Sequence, residues 1–137
     1  MPSLMPALPV GNKIIAVANR ICSEPPFNKS QALQAALWLY FDELDRSHAI
    51  SQGIQGPTGA LWHGIMHRRE GDFWNAKHWF QHGVQHPAFE ATGYDPVAFV
   101  DEVEASSSNF DPRLVAKQRH EWKALFEWCL GEVSGER

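Results

Sequence analysis

The chain is poor in cysteine, short of basic charge and free of long apolar runs, and each shortage closes a class of function. Cys22 and Cys129 are its only cysteines. Each lies in a helical, mostly apolar context with no partner at metal-ligand spacing. They read as reduced structural thiols of a cytoplasmic protein, not as a disulfide. Twelve Lys and Arg stand against sixteen Asp and Glu, a net charge of −4. Phosphate backbones call for a basic field, so no nucleic-acid partner is expected. No stretch approaches the roughly 20 apolar residues of a membrane span, so no membrane partner is expected. There is no Gly-rich phosphate loop and no serine in a nucleophile elbow, and neither cysteine has a nearby base. The opening "MPSLMPALPVGNK" lacks a basic start and is broken by Pro2, Pro6 and Pro9. It reads as an extended tail over 1–11, not as a signal peptide.

What is present is helical. The 137 residues suffice for one domain with one core, here 12–133, followed by a frayed end over 134–137. The expected fold is all-α, a compact bundle of five to six helices. "NKIIAVANRIC" is the first. "SQALQAALWLYFDELDRSH" is read as one continuous helix, capped by Asn28 or Ser30, with Leu33, Leu37, Tyr40, Phe41 and Leu44 on one face. His48 projects onto that same face, while Asp42, Glu43 and Asp45 fall outside it and are expected in water. "ISQGIQGPTG" is a loop. Thr58 is the expected cap of "ALWHGIMHRRE", which Gly71 ends. Asp72 caps "FWNAKHWFQH", which Gly83 ends, and so short a turn demands an antiparallel helical hairpin. Asp95-Pro96 and Asp111-Pro112 each set a cap before a proline at the first helical position.

The hairpin resembles a single tetratricopeptide-type repeat. Gly64 and Ala76 sit at the offset of its small residues, and Phe80 at its aromatic position. A denser resemblance covers Asp42 to Phe89. There the pattern S-H-x-I-S-Q, T-G, W-H-x-I-M-H-R-R-E-x-D-x-x-N-x-K-x-W is similar to that of an uncharacterised family of bacterial and fungal proteins. That resemblance implies a motif and no reaction. The pattern's usual Tyr and Arg are replaced here by His78 and His82, which fall on the hairpin's solvated face.

The candidate chemistry lies in "WHGIMHRRE". His63, His67 and Glu70 form a stripe at i, i+4 and i+7, opposite Leu61, Trp62, Ile65 and Met66. Two histidines at i, i+4 can share a divalent metal ion, and the carboxylate can be a third ligand or orient a ring. The Glu that a zinc protease needs after its first His is replaced by Gly64. His48 is a possible fourth ligand or general base. Asn75 flanks the stripe, and Trp62 and Trp79 are candidate walls, each with an indole N–H. Arg68 and Arg69 stand near a helix C-terminus, where a salt bridge or a surface role is expected. They also raise the possibility of an anion site. The loop between His48 and His63 can act as a lid over the pocket. His86 is assigned nothing, and His120 is expected to be exposed.

Three readings follow. In the first, His48, His63, His67, Glu70 and Asn75, walled by Trp62 and Trp79, form a pocket for a small molecule or a partner peptide. In the second, His63, His67 and Glu70 hold a divalent metal in an enzyme. In the third, the cluster is a buried polar seam, and the aromatic surface binds another protein or a second copy in a homodimer.

Overall fold

A computed structural model describes residues 1–83 and 85–135. Among them the chain is all-α. It forms α1 (Asn12–Cys22), α2 (Gln31–Tyr40), α3 (Leu44–Ser51), α4 (Pro57–Arg69), α5 (Phe73–His82), α6 (Pro87–Glu90), α7 (Pro96–Ala105) and α8 (Pro112–Ser134). A single 3-10 turn covers Phe27–Lys29. There is no strand among these residues, and no helix is long and apolar enough to cross a membrane.

The count exceeds five to six for two reasons. A short α6 forms where His86 precedes Pro87, its ring Nδ1 accepting from the amide of Ala88 at 3.0 Å. The second helix, expected to run through to His48, is cut at 41–43. Asp42 there has φ +67°, a left-handed conformation that Asp tolerates better than most side chains. Helix α2 ends with open carbonyls, and a buried cation meets one of them. Arg69 Nη1 donates to the Leu39 carbonyl at 2.6 Å, and its Nη2 donates to Asp42 Oδ1 at 2.6 Å. Asp42, expected in water, is thus half of an ion pair. The pair also settles Arg69 as a salt-bridge residue and not a surface one. Ser47 Oγ then donates to the Ala35 carbonyl at 2.8 Å and holds α3 against α2.

The caps at Ser30, Asp72, Asp95 and Asp111 each accept from backbone amides of the helix they open. Thr58 does not cap α4. That helix starts one residue earlier, at Pro57 behind Gly56, whose φ of +94° suits a residue without a side chain. The Thr58 hydroxyl meets His86 Nε2 at 2.8 Å instead.

Helix α4 is the centre of the molecule, buried from Gly59 through Arg69 on every side. It packs most extensively on α5. The two approach closely because Gly64 has no side chain. A Cβ placed there would lie 2.7 Å from the Phe80 ring, well inside the 3.5–4.0 Å of ordinary carbon contact. The main core joins Leu33, Leu39, Trp62, Ile65, Phe80 and Leu125. On its far side Arg68 is fully buried in a polar network on α8. Its Nη1 donates to Glu121 Oε2 at 2.9 Å, its Nη2 to Gln118 Oε1 at 3.3 Å, and Nη2 also lies 2.8 Å from Glu121 Oε1 as an ion-pair contact. The Tyr94 hydroxyl adds a 2.6 Å bond to Glu121 Oε2. Burial first, and then the Glu121 charge, raise the Tyr94 pKa far above its usual value.

The first residues differ from an extended tail. Leu4 is buried against Phe99, Val103 and Leu114. Asn109 grips Met5 at both its amide and its carbonyl, and Gln118 Nε2 donates to the Ser3 carbonyl at 2.9 Å. The segment 1–11 is therefore packed over its first residues. At the other end Ser134 closes α8 and Gly135 follows it with φ +73°. The frayed end expected at 136 and 137 lies outside the described residues. Among the described residues neither Cys22 nor Cys129 is in a disulfide, and burial raises the pKa of Cys22.

Candidate functional site

Three histidines from two helices meet. His63 and His67 rise from successive turns of α4, and His48 comes from α3 by way of the break at Asp42. One nitrogen from each lies within 4.8 Å of the other two. His48 Nε2 and His63 Nε2 are 3.0 Å apart, so one of them carries the proton and the other accepts it. The His63 ring stacks on Trp79 at 3.9 Å with only 11° between planes, and on His67 at 4.8 Å and 22°. His63 is 4% exposed. Burial first, and then the neighbouring His67 and His48, lower its pKa to about 4. At neutral pH it is therefore an uncharged imidazole, with a lone pair to offer.

Glu70 does not join this triad. It sits 3.1 Å from Nδ1 of His67, and with His67 and Asp72 it makes a second group whose ligand atoms lie within 4.8 Å of one another. The contact makes Nδ1 the protonated nitrogen of His67 and leaves Nε2 with the lone pair. The expected metal set of His63, His67 and Glu70 thus becomes a set of three imidazoles, with the carboxylate behind one of them. Asn75 is also committed elsewhere. Its amide group donates to Asp72 Oδ2 at 2.6 Å and its backbone N–H to Asp72 Oδ1 at 3.2 Å, which completes the α5 cap and lowers the Asp72 pKa. Trp62 is a core residue and not a wall. It is fully buried near Trp122, and among the described residues its Nε1 has no hydrogen-bond partner.

Trp79 does form a wall. Together with His63, His82 and the loop after α3, including Gln52 and Gln55, it lines a cleft of about 390 Å³. The loop therefore borders the cleft, in the place where a lid was expected. His82, read from the sequence as part of a solvated face, is exposed yet contributes to the cleft. Gln55 carried no signal beyond its place in the loop. No Lys, Arg, Asp or Glu is among the lining residues. Arg68 and Arg69 are both buried and ion-paired to Glu121 and Asp42, so the anion site has no free cation to serve it. His78 and His120 are exposed, as read from the sequence, and His86 is buried against Thr58. The His-Pro start of α6 is the signal that would have found it, because it repeats the cap-before-proline pattern of Asp95 and Asp111. Comparison with protein-family models, with curated proteins and with solved structures finds no match for this chain.

Proposed function

We propose that this chain binds a small, polar, uncharged molecule in the cleft between the loop after α3 and the α4–α5 hairpin. One observation carries the reading. The cleft offers amide side chains, the Trp79 ring and the imidazoles of His63 and His82, the former neutral and buried, while Arg68 and Arg69 are spent on Glu121 and Asp42. An anion would find no partner there, and a cation would find no carboxylate. The volume of about 390 Å³ lies in the range of small-ligand pockets, which favours a small molecule over a partner peptide. Trp79 supplies a rigid wall because its ring is stacked on His63. The amides of Gln52 and Gln55 each offer a donor and an acceptor.

The test is a screen of neutral fragments (polyols, primary amides, uncharged heteroaromatics) read by amide and indole chemical shifts. Binders should move the resonances of Gln52, Gln55 and the Trp79 indole, and Trp79→Ala should weaken them at least tenfold. Binders that map only to the cleft beside Tyr94 and Lys117, or anions that outbind neutral compounds at Trp79, would overturn the proposal.

A further inference from the structure

We infer that His48, His63 and His67 form a binding site for one divalent first-row transition ion, zinc above all, with an open fourth position. This rests on the cleft reading only in that His63 belongs to both.

The argument is geometric. Nitrogens from three imidazoles lie within 4.8 Å of each other, and all-nitrogen sites of this kind suit zinc, copper and nickel rather than calcium or magnesium. A tetrahedral zinc ion with bonds of about 2.0–2.1 Å sets its ligand nitrogens roughly 3.3–3.4 Å apart. The His48–His63 pair at 3.0 Å needs to open by only a few tenths of an ångström. His48 is half-buried on α3 and has the freedom to make that shift, whereas the two α4 rings are buried. The ion would take the place of the proton between the His48 and His63 nitrogens, that proton moving to Nδ1 of its own ring so that both ligands stay neutral imidazoles. His67 already has its Nδ1 bonded to Glu70 at 3.1 Å. A carboxylate behind a ligating imidazole fixes its tautomer and raises its basicity, as metal sites commonly require. Three protein ligands with no fourth side chain in the group make an open site, in which the remaining position takes water or a bound molecule.

The rival locations are His67 with Glu70 and Asp72, whose ligand atoms also lie within 4.8 Å of one another, and the exposed pair His78 and His82 on α5, one turn apart with ring centroids 4.8 Å apart. A helical histidine pair can capture zinc or nickel by itself, so the experiment has to separate them.

The chelator-stripped full chain is titrated with zinc chloride by calorimetry, and its melting temperature is measured with and without the ion. One equivalent is expected to bind. At a hundredfold excess over Kd the melting temperature should rise by ~9 °C, given the entropy of unfolding of a chain this size. His48→Gln should lose that equivalent, with circular dichroism unchanged because the residue is half-buried on its helix. Glu70→Gln should keep the stoichiometry and weaken binding 10- to 100-fold, the mark of a positioning residue. His78→Ala should change nothing. The inference is overturned if no zinc binds at micromolar concentration. It is equally overturned if the equivalent persists in His48→Gln, whether it then disappears in His78→Ala or stays there too, as an ion on His67, Glu70 and Asp72 would. The fragment screen is run on the chelated protein, so loss of the metal site leaves the cleft reading standing, and loss of fragment binding leaves the metal titration standing.

Discussion

Glu121→Ala is the most exacting test of how the centre of this molecule is held. Arg68 is fully buried, and its partners are Glu121, Gln118 and the face of Phe99, whose centroid lies 4.6 Å from the guanidinium carbon. Removing the carboxylate leaves a cation in the interior with one amide oxygen and one ring. Breaking such a pair costs about 3–5 kcal/mol, because the charge that remains is uncompensated. The Tyr94 hydroxyl loses its 2.6 Å acceptor as well, which adds about 1 kcal/mol. A chain of 137 residues has an unfolding entropy of roughly 0.29 kcal/mol/K at about 2.1 cal/mol/K per residue. A loss of about 4–6 kcal/mol is therefore a fall of ~14–21 °C in melting temperature, against a total stability of about 5–15 kcal/mol. Calorimetry and urea unfolding followed by tryptophan fluorescence both read it. The double variant Arg68→Met/Glu121→Leu should recover most of the loss, since buried pairs replaced by packed apolar groups are often near neutral. A Glu121→Ala variant that loses less than about 1 kcal/mol, or a double variant as unstable as the two single losses combined, would refute the reasoning.

Three further outcomes follow from the same structure. His63 has its pKa lowered to about 4, so its contribution is complete above the ordinary histidine value of about 6.5 and is lost as pH falls through the window down to 4. In chelated protein this amounts to about 2 kcal/mol between pH 8 and pH 5, and His63→Gln should flatten that part of the pH–stability curve; an unchanged slope would count against it. Gly64→Ala gains about 1 kcal/mol of helix propensity but drives a methyl to 2.7 Å from the Phe80 ring. Overpacking of about 1–3 kcal/mol should outweigh that gain, and Phe80→Leu in the same chain should relieve part of the loss seen in urea unfolding. Asp72→Ala removes an acceptor of both Asn75 donors and should cost about 1 kcal/mol, with hydrogen exchange faster in the first turn of α5 and unchanged in α8.

Much of the helix map is legible because its signals are local. A capping side chain acts on amides two or three residues ahead, so Ser30, Asp72, Asp95 and Asp111 can be read without knowing the fold. The same holds for the short turn over 70–72 that forces α4 and α5 together. The break at 41–43 is not local. The run from Ala32 to Leu44 has every mark of continuing, and what stops it is Arg69, 27 residues beyond Asp42. The burial of both arginines was hidden for a like reason, since their counter-charges lie on α8 and in the 41–43 turn. That His48 turns inward was foreseeable from its projection onto the apolar face of its helix, although the projection assumed a helix that does not exist, and His63 and His67 were read on the face opposite the apolar residues of theirs. Asn75 and Glu70 stand on the expected side of the hairpin, yet nearer partners hold them: Asp72 for one and His67 Nδ1 for the other. Helical periodicity gives the direction of a side chain but not the identity of the atom it meets.

The three-residue interruption between Tyr40 and Leu44 has a consequence for how chains of this kind can drift. A residue added or deleted there that the turn did not absorb would pull Asp42 off Arg69 and carry His48 out of line with the two rings on α4. Substitutions elsewhere can be offset by a neighbouring change, but an indel at this hinge has no such remedy. The spacing from the end of α2 to the first turn of α3 is therefore a sharper marker of a preserved centre than the identity of any single histidine.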